Sequence, residues 1–133
     1  MATIKTVYQG TLRTQATHLQ SGTQILTDAP VDNQGKGEAF SPTDLLAAAL
    51  GSCMLTIMGI TARAHQINID QTECSITKIM SASPRRVGEI VVELKFPETY
   101  TEKQQKILER AALNCPVYLS LHPDIQKTVS FGW

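Results

Sequence analysis

Ser41-Pro42-Thr43-Asp44-Leu45-Leu46-Ala47-Ala48-Ala49-Leu50-Gly51-Ser52-Cys53-Met54 reads as the start of one long apolar helix with a thiol set deep inside it. Ser41 can cap, Pro42 suits the first helical position, and Asp44 completes a Ser-x-x-Asp capping pattern. Residues 45–62 carry no charge. The pattern predicts a helix ending near His65, about 24 residues and about 35 Å long. A globule of 133 residues is itself only about that wide. A helix apolar on every side has to be wrapped on every side. Gly51 and Gly59 each cost about 1 kcal/mol against Ala in a helix interior, which points to close approach of another backbone. The expectation is a homodimer with this long buried helix near its centre.

Working outward, residues 2–9 and 11–19 read as two strands joined at Gly10, and 23–28 as a third after Gln20-Ser21-Gly22. Residues 28–40 lack periodicity, which marks either a functional loop or lid, or a surface connection. Residues 72–81 and 86–96 form a hairpin through Ser83-Pro84-Arg85. Its second arm puts Ile90, Val92, Leu94 and Phe96 on one face. Thr101-Glu102-Lys103-Gln104 is a second capping box, and Ile107, Leu108, Ala111 and Ala112 supply the buried stripe of another helix. Pro116 breaks or restarts it, a short helix is possible over 117–122, and 125–131 is the last strand. The order β-β-β-α-β-β-α-β makes the chain α+β, a single domain over 1–133.

Composition narrows the function. Hydrophobic residues make up 42% and aromatics 5%, so the core is aliphatic. Formal net charge is zero and Arg85-Arg86 is an isolated basic pair. Phosphate-backbone binding needs a basic face, so nucleic acid is excluded as a partner. The uncharged run nears the lower limit of a bilayer span. Its alanines, glycines and hydroxyl side chains, without basic flanks, argue against insertion, and no membrane partner is expected. Met1-Ala2-Thr3-Ile4-Lys5 leads into strand alternation and not a secretory h-region, so a cytoplasmic location is expected. Three cysteines, an odd number, do not suggest a disulfide framework. No Cys-x-x-Cys or His-x-x-x-His spacing marks a metal site.

The thiols are therefore filler or redox groups. Cys53 lies too deep in its helix for the N-terminus to help it, and apolar burial keeps a thiol protonated. At an ordinary pKa near 8.5 only about 3% is thiolate at pH 7, against about 90% at a pKa of about 6. That gain needs a cation. Arg13 on the first hairpin is the candidate and Lys36 the fallback, because a guanidinium is always charged and can hold a thiolate and a substrate oxygen together. Cys115, before Pro116, could cap a restarted helix whose N–H groups favour its anion. As an accessible second thiol it would attack a sulfenic acid on Cys53 and close a disulfide. Cys74 reads as packing. Met54 and Met58, at i and i+4, read as core, with the wall of an apolar pocket as the lesser reading. His18, His65 and His122 have no triad spacing and read as structural or exposed.

The stretch from Ser41 to Met54, with Asn114-Cys115-Pro116-Val117 downstream, resembles the OsmC/Ohr family of organic hydroperoxide reductases. The resemblance implies an OsmC-like fold and an intertwined homodimer with two sites. Cys53 would be the peroxidatic thiol attacking an organic hydroperoxide, and Cys115 the resolving thiol. A dithiol such as dihydrolipoamide would reduce the resulting disulfide, with no bound cofactor or metal. Arg13 looks like the arginine that family members place over the peroxidatic thiolate. One position departs from the family: Thr43 stands where members carry a Glu ten residues before the Cys. Glu38 or Asp44 could supply the missing carboxylate; as a solvated loop charge and a helix-start charge they have ordinary readings as well. A non-enzymatic OsmC-like module binding a small apolar ligand at the dimer interface is the alternative function.

Overall fold

Turn chemistry organises the N-terminal third, and helices sharing one core with a second, alternating sheet organise the remainder. The computed structural model describes residues 1–133. They form two compact units, Met1–Leu46 and Ala47–Trp133.

In the first unit, β1 (Ile4–Gly10), β2 (Arg13–His18) and β3 (Gln24–Asp28) make an antiparallel sheet in the order β1-β2-β3. The hairpin turns at Thr11-Leu12, one position beyond the expected Gly10. Both residues are left-handed, at φ 53° and 63°, the geometry that matches strand twist in a two-residue turn. The register sets Arg13 directly opposite Asp28. The segment after β3 is ordered by its own backbone. A 3-10 turn spans Val31–Asn33, Gly35 N–H donates to Pro30 O at 2.9 Å, and Gly37 N–H to Ala29 O at 3.2 Å. A Cβ at Gly35 would sit 1.7 Å from Ala29 O, so only glycine fits there. Thr27, Asp28 and Ser41 are this unit's buried polar residues, while Ile4, Val7, Tyr8, Ile25, Leu26 and Phe40 stay exposed.

The helix α1 runs Pro42–Ala64, its first turn belonging to the first unit. Its start is a reciprocal cap: Asp44 N–H donates to Ser41 Oγ at 3.0 Å and Ser41 N–H to Asp44 Oδ2 at 2.9 Å. In the second unit, β4 (Glu73–Ala82) pairs antiparallel with β5 (Arg85–Lys95), and β6 (Gln126–Gly132) pairs parallel with β5. A bulge at Gly88 lets Val87 join Ile90, Val92 and Leu94 on the buried face. The helix α2 (Glu102–Leu113) starts on the expected Thr101–Gln104 capping box, and α3 spans Pro116–Ser120. Leu50, Met54 and Met58 of α1, Ile90 and Val92 of β5, and Leu108 and Ala112 of α2 are fully buried in one aliphatic core. The methionines are core.

Complete burial of α1 is met on one face only. Ala49, Ser52, Thr56, Ile60 and Arg63 form an exposed stripe at helical spacing. Gly51 faces Ile76 Cδ1, which an added Cβ would meet at 2.3 Å, and Gly59 has open space. The close approach expected at these glycines is thus to a side chain at one and to nothing within the chain at the other.

Candidate functional site

Two clusters carry chemistry-bearing side chains, one in each unit. In the second unit, α2 stops at Asn114, whose N–H donates to Ala111 O at 3.2 Å. Pro116 opens α3, and the residue before a proline is held extended. Cys115 accordingly has φ −71° and ψ 148° and serves as the N-cap of α3. Tyr118 N–H donates to its Sγ at 3.3 Å. Cys53, in the middle of α1, is the titratable neighbour that acts on the Cys115 thiol. Both remain free thiols.

The two sulfurs differ in access. Cys115 is fully buried and Cys53 half-buried. Burial pushes the Cys115 thiol up, the Tyr118 N–H pulls it down, and the neighbouring Cys53 pushes it up again, so the net shift is upward. This corrects the sequence reading in two respects. The cap at Cys115 forms as expected, but the thiol is neither accessible nor biased towards its anion, because burial outweighs the capping N–H. Cys53, expected to be sealed in the helix, is the more exposed of the pair. Cys74 is half-buried and raised by burial, in keeping with packing.

The first unit holds an ion pair. Arg13 Nε donates to Asp28 Oδ1 at 2.7 Å and Nη2 to Oδ2 at 2.8 Å, a two-bond fork. Asp28 has 1% side-chain exposure and Arg13 25%. Glu38 N–H donates to Asp28 Oδ2 at 3.1 Å. The Arg13 hydrogen bonds hold the Asp28 carboxyl below the usual carboxylate range against the opposing effect of burial, with help from Arg13's charge, the Glu38 N–H and nearby Lys36. The Glu38 carboxylate stands 3.7 Å from Arg13 Nη2 but is 64% exposed, where an ion pair is screened.

Asp28 was missed in the sequence because it closes a strand at a loop edge, where an acidic residue is ordinary turn chemistry. The available signal was hairpin register, which brings opposite charges face to face on neighbouring strands. Asp44 caps α1, and Thr43 Oγ1 lies 3.2 Å from Ser41 Oγ. His18, His65 and His122 are exposed. His122 Nδ1 accepts the Asp124 N–H at 3.0 Å.

A family profile described as OsmC-like protein matches residues 35–130. No curated protein matches the sequence. The chain is similar to a solved Psychrobacter arcticus 273-4 protein named for osmotic stress induction and a detoxification response. The identity is 57% and the TM-score 0.96, covering 98% of this chain and 96% of that one. It also resembles an organic hydroperoxide resistance protein OsmC from Legionella pneumophila, 14% identical with a TM-score of 0.77, covering 100% of this chain and 98% of that one. A Vibrio cholerae O1 biovar eltor str. N16961 protein named for organic hydroperoxide resistance, solved with captopril in one of its active sites, is 14% identical. Its TM-score is 0.75, with 98% of this chain and 92% of that one covered. At that identity the likeness of the last two speaks for the α+β fold alone.

Proposed function

Because the chain belongs to the OsmC-like protein family, we propose that it is a thiol peroxidase reducing organic hydroperoxides to alcohols, with Cys53 as peroxidatic and Cys115 as resolving thiol. The observation that carries this reading is that two thiols remote in sequence, Cys53 and Cys115, are electrostatic neighbours within one unit.

The Cys53 thiolate attacks the outer oxygen of ROOH. An S–O bond forms, the O–O bond breaks, and RO⁻ takes a proton and leaves as the alcohol. Cys115 then attacks the sulfenic sulfur, the S–S bond forms and water leaves. An external dithiol such as dihydrolipoamide restores both thiols by two exchanges and becomes a disulfide itself. The difference in burial suits this division of labour. A half-buried Cys53 can meet substrate. A fully buried Cys115, its thiol pKa raised, does not compete for peroxide and is a neighbour of the thiol it would attack. The family resemblance calls for a cation at the peroxidatic thiolate, and Arg13 is the candidate because its charge is permanent.

A homodimer completes the molecule in this proposal. The exposed stripe of α1 and the exposed apolar residues of the N-terminal sheet are surface that a second copy would cover. A reducing, cytoplasmic setting suits a dithiol-driven cycle. The alternative of a ligand-binding module rested on the carboxylate missing at Thr43; Asp28 supplies Arg13 with one.

Intact mass spectrometry after one equivalent of cumene hydroperoxide tests the reading. The wild type should lose two hydrogens within minutes, and Cys115→Ser should retain a sulfenic or sulfinic acid. An unchanged wild-type mass would favour the binding module.

A further inference from the structure

We infer that Lys127 is a positioning residue for the resolving step: from strand β6 its ammonium holds the Tyr118 ring, and with it the start of α3 on which the Cys115 sulfur rests. The inference deepens the peroxidase reading and rests on it, and every residue it uses belongs to the second unit.

Lys127 stands where the strand pattern calls for an aliphatic side chain. Strand faces alternate with period two, so Lys127, Val129 and Phe131 share one face of β6, continuing from Ile125 just before it. Ile125 is buried, and Val129 and Phe131 pack against the core. The β5–β6 register sets Lys127 beside Ile90, which is fully buried. A lysine in such a place can lay its stem along apolar neighbours, but its charge needs a partner. The half-buried Lys127 has two. Its Nζ donates to Ile125 O at 3.2 Å and lies 5.2 Å from the centre of the Tyr118 ring, inside the reach of a cation–π contact, about 6 Å. The first partner belongs to its own segment; the second ties β6 to α3.

Tyr118 passes that tie on to the thiol. Its N–H donates to Cys115 Sγ at 3.3 Å while its ring meets the ammonium. The helix α3 has five residues, none of them fully buried, and is too short to hold itself. Its placement, and so the direction of the sulfur at its N-cap, depends on contacts of this kind. Resolution needs that sulfur: Cys115 attacks the Cys53 sulfenic sulfur, the S–S bond forms, the S–O bond breaks, and hydroxide leaves with the Cys115 proton as water. Misplacing an attacking atom slows such an intramolecular step by about tenfold or more. The preceding attack of Cys53 on the hydroperoxide uses neither α3 nor Cys115.

The two steps separate this role from a merely structural one. Protein is mixed with one equivalent of cumene hydroperoxide in the presence of dimedone, which traps a sulfenic acid that has not resolved. Hydroperoxide consumption reports the first step, and the intact-mass ratio of disulfide to dimedone adduct reports the second. Lys127→Met keeps the apolar stem and removes the charge. It should consume hydroperoxide within about twofold of wild type and shift the ratio towards the adduct by about tenfold. Lys127→Arg, which keeps a cation, and Tyr118→Phe, which keeps the ring, should both return towards the wild-type ratio. Combining Lys127→Met with Tyr118→Leu should be no worse than Tyr118→Leu alone, since both act through one contact. Thermal melting of each variant identifies any loss of fold, and the Lys127→Arg rescue keeps the comparison informative in that event. A wild-type ratio in Lys127→Met, or an equal slowing of both steps, overturns the positioning role and leaves the peroxidase reading intact. A wild type that yields neither disulfide nor adduct overturns that reading and this inference together.

Discussion

Asp28 is a buried carboxylate whose acidity the fold has altered, and that alteration ties stability to pH. Its folded-state pKa is depressed, chiefly by the Arg13 hydrogen bonds. A depressed carboxylate contributes stability that is present above its unfolded pKa, about 3.9, and is lost as pH falls through its folded value. The urea midpoint of the wild type should therefore exceed that of Asp28→Asn by a constant margin from pH 5 to 8. The margin should shrink below about pH 4. A margin unchanged down to pH 2.5 would show that the ion pair does not govern it. Cys115 is the opposite case. Burial raises its thiol pKa, so wild-type iodoacetamide labelling at pH 7.5 should mark Cys53 well ahead of Cys115; equal labelling would contradict the burial order. Both cysteines were legible as residue types with a plausible chemistry, and Arg13 as a cation. Their relative access was not, since it depends on how α2 ends and α3 begins. Asp28 escaped notice because its partner is set by strand register.

At the scale of elements, most boundaries were readable because each carries its own punctuation. The Ser41–Asp44 and Thr101–Gln104 boxes mark the starts of α1 and α2, and period-two alternation marks β5. What alternation misses is the bulge at Gly88, which shifts Val87 onto the core face. The short α3 is the element on which the redox reading makes its own prediction. Five residues cannot sustain a helix alone, so α3 depends on packing and on the Cys115 cap. A bond to Cys53 that pulls the Cys115 sulfur off the Tyr118 N–H would remove that cap. Losing a cap costs about 1 kcal/mol, or about fivefold in local opening. Amide exchange in residues 118–121 should quicken by that factor on oxidation, and Cys115→Ser, which keeps a capping oxygen, should not respond to oxidant. Unchanged exchange in protein whose mass shows the disulfide would mean that the bond forms without disturbing the cap.

On the scale of the whole molecule, α1 poses the largest question. It is long and apolar enough to cross a membrane, yet 33% of that window is buried within the chain, and Leu50, Met54 and Met58 are sealed in the core of the second unit. The stripe left over, Ala49 to Arg63 with Ile60 at 62% exposure, is the surface that the proposed second copy would cover. Wild type at micromolar concentration should elute as a dimer and Ile60→Asp as a monomer; a monomeric wild type would remove the second copy from the account. The α+β class could be read from the chain alone. Which side of α1 packs at home could not, because an all-round apolar helix has no polar face to betray its orientation. Above these questions stands the pairing of the two sulfurs, and digestion of peroxide-treated protein without reductant tests it most directly. The account predicts a dominant cross-linked peptide joining Cys53 to Cys115. A digest in which Cys53 is linked to Cys74, or carries only a terminal sulfinic acid while Cys115 stays free, would contradict it.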